Sequence, residues 1–370
     1  MTIELSNLTF TDEDDVVPTS GVEEILINTG IANTLAGDDR ITGVGDGSGS
    51  SLSNSGTINT AEGNDRITGT HNQTQDSPFA HGISNSGSID TGDGNDIING
   101  DTTAGIGNGI VNGGSINNGN GNDRVIGTAY NSTDEYYAGF TTSGDFNTGD
   151  GNDVITGVGQ IGISHYGKYN YPWESNQFQT GEGNDIIMGS GKNIGFFNYG
   201  GSIITGGGND IIVGRGGSVG IENLNNPRGS GGYISTGEGD DIIIGSGQIG
   251  IRMYDGFIDT GHGNDSIIAN GGFDGYGFVQ LGYGNDYLNG FGRGYYFGTG
   301  NYYQPPTDED TLELTSGSYT VSYTVEPWGT ATSFTKDSII MKTFQFEKLI
   351  AGSTTYDFSS LTEGQTIVVA

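Results

Sequence analysis

Thr91-Gly92-Asp93-Gly94-Asn95-Asp96-Ile97-Ile98-Asn99-Gly100 packs a glycine turn, a closing aspartate and the start of an apolar strand into one short unit. Its closing Asp returns as Asp65, Asp96, Asp123, Asp153, Asp185, Asp210, Asp241, Asp265 and Asp286. A weaker first copy, Thr34 to Gly43, closes its loop at Asp39. Apolar residues return at three places in each unit. One set lies two residues after the Asp: Ile67, Ile98, Val125, Ile155, Ile187, Ile212, Ile243, Ile267 and Leu288. A second set is Leu52, Ile83, Ile110, Phe140, Ile163, Phe196, Ile221, Ile251 and Phe278. The third lies two before the loop Thr: Ile58, Ile89, Ile116, Phe146, Phe178, Ile203, Ile234 and Ile258. Three short strands per unit, each offering one main inward side chain, describe a coil of a three-sided solenoid. A single coil cannot bury these residues, whereas stacked coils form three continuous columns. The expectation is an all-β, right-handed parallel β-helix of about ten coils with non-repeat caps. At the strand spacing of about 4.8 Å, that is a rod roughly 45 Å long.

Composition agrees. No segment sustains a helical period, and 71 glycines interrupt the chain. The glycines stay in register with Ile, Val and Phe, which separates this chain from a flexible low-complexity one. A formal charge of −33, from 45 acidic and 12 basic residues, makes nucleic acid and anionic membrane poor partners and cations natural ones. With no Cys, disulfides contribute nothing. Residues 1–10 lack the basic and apolar regions of a classical secretory signal, and no run of about 18 apolar residues is present.

The loop chemistry points to calcium. A hard divalent ion takes oxygens from carboxylates and backbone carbonyls. Each G-x-G-N-D loop has glycines that can turn carbonyls toward one point and an Asp that brings a carboxylate. Stacking sets the next loop directly above, so two loops can enclose one ion. The absence of Cys and only four His argue against zinc. A carboxylate column at sheet spacing repels itself. Roughly nine divalent ions in the gaps would offset over half of the formal charge, so metal binding and folding are expected to be coupled.

These residues resemble the repeats-in-toxin family, whose nonapeptide G-G-x-G-x-D-x-U-x forms calcium-binding parallel β-rolls. The likeness runs from about Thr34 to Gly290. It implies that Asp39, Asp65, Asp96, Asp123, Asp153, Asp185, Asp210, Asp241, Asp265 and Asp286 are side-chain ligands. Carbonyls of the loops holding Gly63, Gly94, Gly121, Gly151, Gly183, Gly208, Gly239, Gly263 and Gly284 would complete the shell. Two departures stand out. The first motif glycine is usually Thr here (Thr60, Thr91, Thr148, Thr180, Thr205, Thr236, Thr260), and one motif fills a longer coil, which puts calcium on a single edge. Leu35-Ala36 and Ala61 also depart from the pattern at the N-terminal end. Asp310-Thr-Leu-Glu-Leu, Phe346-Glu-Lys-Leu and Thr366-Ile-Val-Val-Ala resemble the C-terminal region read by type I secretion, which implies an extracellular or cell-surface location.

The expected organisation is an N-terminal cap over residues 1–33, a solenoid over 34–298 and a C-terminal β cap or secretion region over 299–370. The favoured function is a non-enzymatic, secreted, calcium-stabilised structural or adhesive module. A polysaccharide-acting enzyme and an ice-binding rod are the alternatives. Against the enzyme, the acids are the repeat itself and His71, His81, His165 and His262 are scattered. Against ice binding, the loop Thr lie two residues from an inward Ile or Phe and so point inward or sit at the corner. Asn54, Asn85, Asn112, Asn198 and Asn223 read as an amide ladder in a turn. Ile186, Met188, Ile211, Val213, Ile242 and Ile244 flank buried positions and would present an apolar patch, covered by a second protomer or by the C-terminal segment. Aromatic clusters at Tyr136-Tyr137, His165 to Trp173 and Phe291 to Tyr303 are candidate stacking surfaces for extracellular polysaccharide.

Overall fold

A computed structural model describes residues 2–18, 24–47, 49–72, 80–103, 107–130, 137–167, 176–226, 231–299 and 308–370. Tyr136, residues 168–173 and 300–303, and Pro305-Pro306 lie outside these. The chain forms a parallel β-solenoid of about ten coils. Among the described residues there is no α-helix, only 3-10 turns at Leu5–Asn7 and Phe358–Ser360, and so no helix long and apolar enough to cross a membrane.

Three parallel faces wind along the rod. The post-loop face follows each closing Asp and runs unbroken from Val16–Val17 through Arg40–Gly45 and Arg66–His71 to Tyr287–Asn289, Thr311–Leu314 and Lys348–Ala351. The middle face runs from Thr2–Glu4 and Ile25–Asn28 to the first half of Phe273–Gly282. The pre-loop face runs from Ile31–Asn33 to Gly294–Thr299 and Ile339–Phe344. Alternation along each short strand aims one apolar side chain inward. The first column is fully buried, as Ile67, Ile98, Val125 and their equivalents, and continues beyond the repeat through Leu312 and Leu349. Where Phe replaces Ile the rings interlock inside the rod, with Phe146 4.6 Å from Phe178 and 5.0 Å from Phe140.

One inward position differs from the sequence reading. Phe273, not Phe278, pairs with Ile251 and fills the middle column. Phe278 stands one face further on, beside Phe257, and is only partly buried. The cause is the short coil after Asp265, in which Gly271-Gly272 turns with both residues at positive φ and brings Phe273 into register early.

Both ends are closed. Leu5 plugs the N-terminal end of the core, and Glu4 accepts the Thr29 N–H at 2.8 Å. At the other end the chain turns antiparallel. Gly317–Glu326 pairs with Gly329–Lys336 and Thr366–Val369, and Ile339–Phe344 joins this meander to the pre-loop face. Tyr319, Val321, Phe334 and Met341 seal the core there. The segments resembling a secretion region are thus strands: Thr311–Leu314 and Lys348–Ala351 extend the post-loop face, and Thr366–Val369 edges the meander.

The outward flanks of the post-loop face follow the expected alternation at Ile186 and Met188 and at Ile242 and Ile244, all partly exposed. Val213 is 5% exposed, because the longer Met188 and Ile244 flank it in register.

Candidate metal column

The loop edge is built from one repeated turn. Gly92, Gly119, Gly149, Gly181, Gly206, Gly237, Gly261 and Gly282 open it in positive-φ conformations, and Leu35 and Ala61 adopt the same conformation in the first two loops. The second loop glycine is forced by stacking as well as by φ. A Cβ on Gly121 would lie 1.4 Å from the Gly94 carbonyl oxygen, and one on Gly94 would lie 1.5 Å from that of Gly63. Only glycine lets successive loops lie this close.

This stacking brings the predicted aspartates into one buried column. Asp39, Asp65, Asp96, Asp123, Asp153, Asp185, Asp210, Asp241, Asp265 and Asp286 are all inaccessible or nearly so. Each accepts, on Oδ1, the backbone N–H of the Asp in the coil before it. Asp65 N–H reaches Asp96 at 2.8 Å, Asp96 N–H reaches Asp123 at 2.7 Å and Asp123 N–H reaches Asp153 at 2.8 Å. Their other oxygens, Oδ2, are buried without a hydrogen-bond partner, in every member from Asp39 to Asp286. A buried carboxylate oxygen with no donor is costly unless it is protonated or meets a cation.

Desolvation accordingly dominates the acidities. It holds Asp65, Asp210 and Asp241 up at about 6, Asp96, Asp185 and Asp265 at about 7, and Asp123 and Asp286 at about 8. Asp39 and Asp153 are raised for the same first cause. Like-charge neighbours in the column add to the rise, as Asp96 and Asp153 do at Asp123. The Thr60 hydroxyl offsets part of it at Asp65, although its own proton goes to the Thr91 carbonyl at 3.1 Å. That Thr column is buried from Thr34 to Thr260, so it lines the corner from inside and presents nothing to the surface.

The column is longer than the repeat. Asp310 is a further rung, fully buried, accepting the Asp286 N–H at 3.0 Å, with its own Oδ2 unpartnered and its acidity pushed up to about 7 by burial. Glu347 ends the series by accepting the Asp310 N–H at 2.8 Å, and at the other end Asp15 N–H donates to Asp39 at 2.8 Å. Two amide ladders accompany the carboxylates. Inside the rod, Nδ2 of Asn28, Asn54 and Asn85 donates to Oδ1 of the next Asn, ending at Asn112, each at 2.8 Å, and Asn198 donates likewise to Asn223. Buried His165 sits in register between Thr142 and Asn198, where desolvation lowers its pKa to about 4. Outside, Asn64, Asn95, Asn122, Asn152 and Asn184 form a second ladder at about 3 Å, continued by Asn209, Asp240, Asn264 and Asn285. The Asn preceding each closing Asp was its only sequence signal.

Among the described residues no three His, Cys, Asp or Glu side chains converge as a metal-binding group. The column offers one carboxylate per coil, with loop carbonyls as the other oxygens, and this hard-oxygen set suits calcium. Away from the column, Glu222 and Asp274 are both engaged by Arg252, at 3.0 and 3.1 Å.

Together these features define a parallel β-solenoid carrying a buried aspartate column along one corner. No family model and no curated protein matches the chain. Among solved structures, a hyperactive, Ca2+-dependent, β-helical antifreeze protein from an Antarctic bacterium is similar at 21% identity and a TM-score of 0.43, over 85% of this chain and 77% of that one.

Proposed function

We propose that the chain is a calcium-binding β-solenoid of the repeats-in-toxin type, acting outside the cell as a non-enzymatic structural or adhesive rod that folds as calcium binds. The observation that carries this reading is the row of buried, unpartnered Oδ2 atoms from Asp39 to Asp310. Hydrogen bonding is completed at every Oδ1 while no Oδ2 has a partner, a pattern that supports a cation column once these carboxyls ionise. Asp65 to Asp286 and the loop carbonyls beside Gly63 to Gly284 would hold the ions. Burial in a site that costs free energy when charged and empty makes ion binding part of folding. The positive charge brought in would also relieve the −33 self-repulsion.

The test is a calcium titration of EDTA-stripped protein, followed by far-UV circular dichroism and by bound-calcium stoichiometry, with magnesium as control. Cooperative gain of β signal with several calcium ions bound, and none with magnesium, is the expected result. A stripped protein that is fully folded at neutral pH and binds no calcium would show that the loops are turns alone.

A further inference from the structure

The C-terminal end of the rod carries a second built feature, made of rings rather than carboxylates. Tyr233, Phe257, Phe278 and Tyr295 occupy one outward register position on the pre-loop face. Their rings stack in file, with centroids 5.8, 6.5 and 5.2 Å apart and the first and last pairs within 18° of parallel. All four are mostly covered but keep part of their surface open. Trp328, 39% exposed, stands edge-on to Phe278 and Tyr295 at 5.6 and 5.2 Å. The file ends at Lys342, whose Nζ lies 5.1 Å from the Tyr295 ring centre and 2.5 Å from Glu326.

Beside this end of the file opens a cavity of about 240 Å3 lined by Tyr276, Arg293, Tyr295, Ile340 and Lys342. Tyr276 is 54% exposed, and the Arg293 guanidinium lies 4.9 Å above its ring and donates to its hydroxyl at 2.9 Å. Arg293 makes no ion pair among the described residues, in a chain with 45 acids and only 12 basic residues. An exposed guanidinium left without a carboxylate on so acidic a protein is oriented by a ring and keeps most of its donors for a ligand.

We infer that this cavity and the adjoining ring file bind an acidic oligosaccharide, with Arg293 receiving a uronate carboxylate. The exposed Tyr276 ring and the outer edges of the file present apolar surface to the C–H groups of a sugar, and a guanidinium fork fits a carboxylate with two parallel hydrogen bonds. The cavity is of monosaccharide size, and the file beyond it extends the platform along the rod axis. This site supplies a partner for the adhesive role proposed above, but its geometry does not involve the aspartate column.

The experiment is titration of calcium-saturated full-length protein with tetragalacturonate and, separately, with neutral cellotetraose, read by tryptophan fluorescence and calorimetry. Wild type is compared with Arg293→Ala, Arg293→Lys and Tyr276→Ala, all at exposed positions. Expected is binding of the uronate tetramer in preference to the neutral one. Affinity should fall at least about tenfold in Arg293→Ala and Tyr276→Ala and by less in Arg293→Lys, with the calcium midpoint and melting temperature unchanged. Uronate affinity unaffected by Arg293→Ala, as calcium bridging to the acidic rod would give, overturns the inference, as does equal binding of both tetramers. A calcium response without uronate binding sinks this site and leaves the proposed function standing. Uronate binding without a calcium response does the reverse.

Discussion

Stripping divalent ions from the rod and then raising the pH from about 5 to about 8 should unfold it, and the size of the effect follows from the column. Asp96 rises from its ordinary 3.8 to about 7 because burial disfavours its charged form. At about 1.4 kcal/mol for each tenfold change in proton affinity, holding it ionised in the folded state costs about 4 kcal/mol. Water reaching the loop rim screens part of this and brings the cost to about 2 kcal/mol per carboxyl. The nine carboxyls held at about 6 to 8, Asp65, Asp96, Asp123, Asp185, Asp210, Asp241, Asp265, Asp286 and Asp310, then cost on the order of 20 kcal/mol, more than the 5–15 kcal/mol that typically holds a domain together. The sign follows from linkage. A raised folded-state value means that the native chain holds protons the unfolded chain has released. Ion-free stability is therefore highest below about pH 4 and falls as pH climbs through 6 to 8. Calcium reverses the trend at the upper end, because it binds the ionised form and adds about 2.7 kcal/mol per site at a hundredfold excess over Kd. The assay is a set of melts by circular dichroism in EDTA and in calcium across that pH range. A melting temperature in EDTA that stays flat or rises toward pH 8 would refute the reasoning.

Three substitutions probe the parts separately. Asp123→Asn keeps the Oδ1 acceptor used by Asp96 N–H at 2.7 Å and removes one charge. It should raise the melting temperature in EDTA at about pH 8 by a few degrees, worth about 2 kcal/mol, while lowering the bound-calcium count by calorimetry. Loss of stability in both conditions would count against a charge role. Gly121→Ala forces a Cβ to within 1.4 Å of the Gly94 oxygen and should cost several kcal/mol in denaturant unfolding, whereas Gly113→Ala, whose Cβ meets nothing nearer than 3.7 Å, should cost under about 1 kcal/mol. Equal effects would mean that the loops do not stack this closely. Asn85→Ala breaks donation to Asn112 and Ser115, each at 2.8 Å, and leaves Asn54 Nδ2 with the Ser88 carbonyl alone, for an expected loss of about 2–4 kcal/mol by urea titration. A change below about 0.5 kcal/mol would show that the inner ladder is dispensable.

The core columns and most of the aspartate column were readable because a solenoid writes its contacts into a single period: Ile98 meets Ile67 and Val125 because each is two residues past its Asp. Legibility failed where the period changes. Asp310 lies 24 residues after Asp286 and precedes Thr-Leu-Glu-Leu, a normal rung by spacing, but without the loop glycines it read as part of a tail. Phe278 was displaced by the Gly271-Gly272 turn, which no apolar pattern announces. The aromatic site was hidden more deeply. Arg293 and Tyr276 come from neighbouring coils, and Lys342 arrives on a strand of the antiparallel meander, so no sequence window holds the three together. The inward loop Thr were readable from alternation alone and are buried from Thr34 to Thr260.

The Oδ1 bonds have a direction. Every closing Asp gives its N–H forward and takes one from behind, from Asp15 to Glu347. The rod is therefore a directed zipper: a coil is completed only by its successor, and a chain cut after any closing Asp leaves an open tooth. Glu347, bringing a carboxylate without a further loop, takes the last N–H of the series and ends the zipper inside the molecule.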